Sequence, residues 1–117
     1  MKRLVLLLAA LMALLVLVGF MTPSTSERQF DGIAKYTNGS PAPEGTRLRV
    51  YLGGSLKDEI VLTGSNGYYE IWGVDTNYPA GTYRLEADDL THAMGDENVY
   101  HSQEGTTTRD ITLDTQY

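Results

Sequence analysis

Six residues in one short stretch carry most of the ligand-forming chemistry of this chain: Asp88, Asp89, His92, Asp96, Glu97 and His101. With Asn98 beside them, the carboxylates could offer oxygens to Ca²⁺, which takes about six to eight. Asp88, His92 and His101 would instead suit a transition metal. The spacing matches neither reading closely. It lacks the Asp-x-Asp-x-Asp-Gly run of an EF-hand loop and has no His-x-x-x-His on a helix. A solvated polar loop is the plainer reading, so no obligatory cofactor is expected, and Ca²⁺ held by the 88–101 loop is the alternative. Aromatic side chains form the second candidate set. Tyr68, Trp72 and Tyr78, with Tyr51 and Tyr100, could stack on sugar rings or dock a partner protein wherever they are exposed. In Tyr68–Trp72 the residues alternate. If Tyr69 and Ile71 point inward, Tyr68, Glu70 and Trp72 point out.

Other site chemistries find no support. The two histidines stand in one segment, which fits no Ser-His-Asp order. Gly53-Gly54 falls in a β-turn and opens no helix, so it is not a phosphate loop. Asn38-Gly39-Ser40 is a glycosylation sequon, weakened by Pro41 directly after it.

Strands must position these residues. Turn signals recur every 8 to 15 residues after Glu27, and no segment there has a 3.6-residue period. Phe30–Thr37 reads as a first strand. Thr46–Leu52 alternates, with Leu48, Val50 and Leu52 on one face and Arg47, Arg49 and Tyr51 on the other. Glu59–Thr63 is a short apolar strand. Asn66-Gly67 is a hairpin signal before Tyr68–Trp72. Thr82–Ala87 comes after the Asn77–Gly81 break. Asp88–Asn98 reads as the longest loop, Val99–Ser102 as a short strand and Thr106–Asp114 as the last, with Ile111 and Leu113 on one face. The expected fold is all-β: a single antiparallel seven-stranded β-sandwich over residues 27–117, preceded by an N-terminal hydrophobic helix.

The residues then resemble a known pattern. Gly32-Ile33-Ala34 with Asn38-Gly39-Ser40-Pro41, Leu48-Arg49-Val50, Asn66-Gly67-Tyr68-Tyr69-Glu70-Ile71, Pro79-Ala80-Gly81-Thr82-Tyr83-Arg84-Leu85 and Asp110-Ile111-Thr112-Leu113 are similar to the carboxypeptidase regulatory-like domains, small prealbumin-like (transthyretin-like) sandwiches. The resemblance covers most of 32–113 and implies a fold, with little about function. Leu90–Gly95 stands where that family has Gly-Tyr. Hydroxyisourate hydrolases share the fold, but resemblance to them would require spaced histidines, an arginine and a Tyr-Arg-Gly-Ser ending. Here the chain ends Asp114-Thr115-Gln116-Tyr117. Isopeptide-bonded adhesin modules would pair Lys35 with Asp110 or Asp114 beside Glu86, yet that family's acid position is Ala87. No enzymatic activity is expected.

The start of the chain speaks to location. Lys2 and Arg3 precede 18 uncharged residues, Leu4–Met21, and a polar exit, Thr22–Glu27. That is the layout of a secretory signal, and the run is also about long enough to span a bilayer. Ser24 and Ser26, or Thr22 and Ser24, are small residues that permit cleavage. Residues 1–26 are therefore expected to be a signal peptide or membrane anchor. Without Lys2 and Arg3 the basic count falls from 9 to 7 against 15 acidic residues, a formal charge of −8. Such a surface disfavours nucleic acid and anionic lipid. No cysteine is present, so neither a disulfide nor a lipid-anchored cysteine is available. The expectation is a non-enzymatic, secreted or membrane-anchored extracytoplasmic module at a cell surface. Its work would be structural or the binding of a surface protein or carbohydrate, and membrane contact would come only through the N-terminal segment. A self-assembling filament subunit is an alternative, joined through sheet edges with Thr22–Gln29 as a linker or donated strand.

Overall fold

The computed structural model describes residues 25–117. The apolar run expected as a helix, and all of the expected leader except Thr25 and Ser26, lie outside them. Among the described residues no helix is long and apolar enough to cross a membrane.

Among the described residues the strand patterns become nine strands in two sheets: β1 (Glu27–Tyr36), β2 (Arg47–Leu52), β3 (Ser55–Val61), β4 (Tyr68–Gly73), β5 (Gly81–Asp88), β6 (Ala93–His101), β7 (Thr107–Thr108), β8 (Ile111–Leu113) and β9 (Thr115–Gln116). A 3-10 turn, Asp75–Asn77, joins β4 to β5. One sheet runs β4-β1-β7, with β8 also on β1; the other runs β3-β2-β5-β6-β9. The two-layer, all-β architecture agrees with the alternation. Nine strands replace the expected seven because the last one breaks at Arg109-Asp110 and the chain adds β9. The expected all-antiparallel pairing also gives way: β7 and β8 run parallel to β1, with Phe30 opposite Thr107 and Ala34 opposite Ile111.

The inward faces obey the period of two. Leu48 and Val50 from β2, Tyr69 and Ile71 from β4, and Ile111 and Leu113 from β8 are all buried. Each large apolar side chain so covered contributes about 1.5–3 kcal/mol. Asn66-Gly67 makes its turn with Gly67 at φ +74°, and a Cβ there would meet the Ala34 carbonyl oxygen at 2.3 Å. Only glycine fits both demands.

The largest departure is at Asp88–Asn98, which is no loop. β5 runs through Asp88, four residues turn, and β6 returns, pairing Asp88 with Met94, Glu86 with Asp96 and Gly81 with His101. Strand β6 hides its period because its inward side holds Gly95 and Glu97 where apolar residues would be expected.

One irregularity in β1 sets which of its side chains face the core. Arg28 pairs with Trp72 and Phe30 with Ile71, leaving Gln29 as an extra residue in a β-bulge. A bulge re-aims side chains. Gln29 and Phe30 both turn inward and are fully buried, while Arg28 remains on the outer face.

Candidate functional site

The hairpin separates the six metal candidates. Asp88 and Asp89 lie at its turn. His101 lies at the far end of β6, about 23 Å away at 3.3 Å per residue. Among the described residues no group of three or more His, Cys, Asp or Glu side chains is placed to hold a metal ion.

The buried aspartates have other partners. Asp89 Oδ1 accepts the amides of Thr91, His92 and Ala93 at 2.9, 2.7 and 2.9 Å, and Oδ2 accepts the Tyr36 hydroxyl at 2.5 Å. Burial pushes the Asp89 carboxyl up, but these hydrogen bonds together outweigh it and hold it well below the usual range. The same contact pushes Tyr36 up to about 12. Asp88 accepts the Leu90 amide and the Tyr117 hydroxyl and pairs with Arg47 at 3.1 Å. These carboxylates close the hairpin turn and pin the C-terminus. His92 is turned to solvent with its side chain 83% exposed. Asp96 meets Arg84 at 3.5 Å, and Glu97 meets Arg109 at 3.2 Å.

His101 is fully buried between the sheets. Its ring packs on Phe30 at 4.7 Å and on Tyr83 at 5.8 Å. Nδ1 meets Thr107 Oγ1 at 2.7 Å and Nε2 meets Gln29 Oε1 at 2.9 Å. Tyr78 lies in the same cluster. It is 4% exposed, edge-on to Phe30 at 6.1 Å and stacked with Tyr83 at 6.2 Å. It therefore sits in the core and not on a binding face. The 3-10 turn after β4 swings it there, and a period-two reading has no access to that turn.

Tyr68 and Trp72 do reach the surface. With Tyr69 and Ile71 buried, the other face of β4 carries Tyr68, Glu70 and Trp72, and Trp72 is 50% exposed. Glu70 organises the two rings: Oε2 accepts Trp72 Nε1 at 2.8 Å and Oε1 accepts the Tyr68 hydroxyl at 2.8 Å. Hydrogen bonds from Trp72 and then Tyr68 hold the Glu70 carboxyl below its usual value, and the bond to Glu70 raises Tyr68. Arg28, presented by the bulge, pairs with Glu70 at 3.1 Å and with Asp31 at 3.3 Å. Its guanidinium lies 5.5 Å from the Trp72 ring centre, within cation–π range. The sequence pattern contains no sign of Arg28, because only the bulge brings it here.

The platform borders a groove of about 400 Å³, walled by Tyr68, Glu70 and Trp72 on one side and Ile60, Val61 and Thr63 on the other. Across the outer face beyond Arg28 the surface turns polar. Thr108 donates to Asp31 at 2.5 Å, and Lys35 pairs with Asp110 at 3.6 Å. Lys35 is thus a partly solvated ion-pair partner, and Glu86 belongs to the other sheet with Arg84 at 3.0 Å. The other two aromatics stand apart. Tyr51 lies under Arg84 at 4.1 Å, and Tyr100 is exposed on β6.

No protein-family model matches the chain, and no curated protein matches it. Solved structures do. The 5-hydroxyisourate hydrolase of Klebsiella pneumoniae superposes with a TM-score of 0.53 at 16% identity, over 78% of this chain and 97% of that one. Transthyretin from Sparus aurata gives a TM-score of 0.48 at 19% identity, over 78% of this chain and 94% of that one. The first of these corrects the expectation that the chain is no enzyme. A hydrolase is built on the same framework, so the sandwich provides no ground for that exclusion, and at this identity the likeness speaks to fold alone. The chain folds as a transthyretin-like β-sandwich.

Proposed function

We propose that this chain is an extracytoplasmic surface module that binds neutral carbohydrate on the Tyr68–Glu70–Trp72 platform. The observation that carries the reading is Trp72: half exposed, fixed by Glu70 at its nitrogen, and flanked by Arg28 at 5.5 Å from its ring centre. A ring held still loses little entropy when it is stacked upon, and an aromatic body with a polar tip suits a ligand that is apolar on one face and hydroxylated at its edge. Carbohydrate fits better than protein because of what surrounds the ring. Protein interface centres are apolar and poor in charge, whereas a protein docked here would have to cover the Arg28–Asp31–Glu70 and Lys35–Asp110 pairs. Hydroxyl groups can join such pairs or reach them through water. The basic start and apolar run of the sequence support export, and the acidic composition supports solubility once outside.

Edge-to-edge assembly draws less support from the geometry. Glu27–Gln29, part of the segment considered as a donated strand, is already paired within β1 against β4 or held in its bulge. One open edge, β3, carries Lys57, Asp58 and Glu59 and has an irregular register with β2, devices that discourage added strands there.

Retention on a panel of immobilised neutral oligosaccharides tests the reading. Trp72→Ala is expected to lose about 2 kcal/mol of binding, roughly thirtyfold in affinity, the worth of one buried aromatic face. Tyr100→Ala, more exposed than Trp72 but on the other sheet, is expected to bind as wild type. Equal retention of wild type and Trp72→Ala would contradict the platform.

A further inference from the structure

Gln29 links two places that otherwise share nothing. On its inner side Oε1 faces His101 Nε2 at 2.9 Å. Its amide nitrogen donates to the Gly73 carbonyl at 3.0 Å and to Asp75 Oδ1 at 2.7 Å. Those two bonds fix the amide orientation, so the oxygen must be what faces the imidazole. His101 therefore carries its proton on Nε2 and donates it to Gln29, and Nδ1 accepts from the Thr107 hydroxyl. Gly73 adjoins Trp72, and Arg28, the other neighbour of the bulge, lies over the Trp72 ring. The bulged residue of β1 thus ties a buried histidine to the backbone just after the exposed tryptophan, and stands next in the chain to the arginine over its ring.

We propose that His101 is an acid-operated latch on the Trp72 platform: proton uptake at Nδ1 reverses the Thr107 bond, puts a charge into the buried Thr107–His101–Gln29 chain, shifts the bulge and loosens Arg28 from Trp72 and Glu70. The added proton comes from solvent and ends on Nδ1, which changes from acceptor to donor. The Thr107 hydroxyl must then turn its own proton away and accept from Nδ1, while a positive charge stands in a site with no solvent access. Around the ring, Gln29 and Phe30 of β1 and Thr107 of β7 are uncharged. Tyr83 of β5 has its hydroxyl committed to the Pro79 carbonyl. Asp75 of the 3-10 turn is the charged group that faces the ring, and it favours protonation. Burial acts the other way and prevails, so the His101 pKa is lowered. A lowered histidine stabilises the fold fully above the unfolded value of about 6.5, and that contribution is lost as pH falls below it. Release belongs below pH 6.5, ahead of Glu70 and Asp89, whose carboxyls stay ionised to lower pH. That this would discharge a bound glycan rests on the platform being the binding surface; the latch itself does not.

The composition makes the test clean, since Trp72 is the only tryptophan and His92 and His101 are the only histidines. Intrinsic fluorescence of the purified full chain is followed from about pH 7.5 to 4.5, with far-ultraviolet circular dichroism and the two histidine ring signals by NMR in parallel. The expected result is a change in Trp72 emission, centred below 6.5 and coincident with the His101 ring titration, while the dichroism stays constant. His92→Gln should keep it and His101→Gln should abolish it. An emission that stays flat through the His101 titration overturns the latch in wild type alone, whatever the variants do. So does a midpoint that tracks His92, or a simultaneous loss of all secondary structure. Failure of the binding reading would show separately, as no retention on oligosaccharide at pH 7.5 with the emission change intact.

Discussion

Asp89→Ala is expected to lower the unfolding free energy by about 3–5 kcal/mol, read from the midpoint of urea denaturation at neutral pH. The side chain removed is fully covered, and it takes four donors with it: the amides of Thr91, His92 and Ala93 and the Tyr36 hydroxyl. Leaving a buried donor unpaired costs about 1–3 kcal/mol. Water can reach Thr91 and His92, which are exposed, but not Ala93, so the sum falls short of four full penalties. Asp89→Asn retains one acceptor oxygen and should lose about half as much. The same carboxyl makes the fold acid-sensitive in a defined window. Its folded pKa lies below its unfolded value of about 3.9, so its contribution is complete above that value and declines as pH falls through the folded one. Tyr36→Phe should narrow the acid effect while leaving the turn in place. A residue that looks like a metal ligand in sequence is thereby predicted to act on stability, with or without added Ca²⁺.

Gly95→Val is expected to cost more than about 3 kcal/mol, most of what a domain of this size has to lose. Gly95 lies on β6 where that strand passes β8 of the other sheet. A Cβ there would stand 1.8 Å from the Thr112 carbonyl oxygen and 3.0 Å from the Leu113 Cα. These are backbone atoms, so no rotamer change relieves the overlap, and the sheets must separate at the end where β8 seals the core. Gly81→Ala is the matched control, since its added Cβ would make only an ordinary contact of 3.6 Å with Leu52. Thermal melts of both should show a large drop in Tm for the first and little change for the second.

How far the sequence reaches depends on the range of the interaction. Local periodicity was sufficient for β2 and β4. Tyr69 and Ile71 are buried and Trp72 is out, as the alternation requires, and the Asn66-Gly67 turn lies where its backbone preference puts it. Strand β6 escaped the same test. Its inward positions include Gly95, which must be small because β8 crowds it, and Glu97, which reaches Arg109. Parallel pairing of β7 and β8 with β1 is set by contacts some 77 residues apart in sequence, such as the Ile33 amide to Asp110 Oδ1, and no local pattern encodes it. Asp88 and Asp89 look exposed and ligand-like because their partners, Tyr117 and Tyr36, lie 29 and 53 residues away. Of the platform, the two rings and Glu70 could be read from one strand. Arg28 and Gln29 could not, since a bulge of one residue decides which of them faces the solvent.

The most direct test of the central claim is a fluorescence titration of the wild-type chain with neutral oligosaccharide at pH 7.5. A pyranose ring stacked on the lone indole must take it out of water, so Trp72 emission should shift to shorter wavelength, saturate with ligand, and become less accessible to a soluble quencher. An emission spectrum and quenching that are unchanged at millimolar oligosaccharide would contradict Trp72 as the carbohydrate platform.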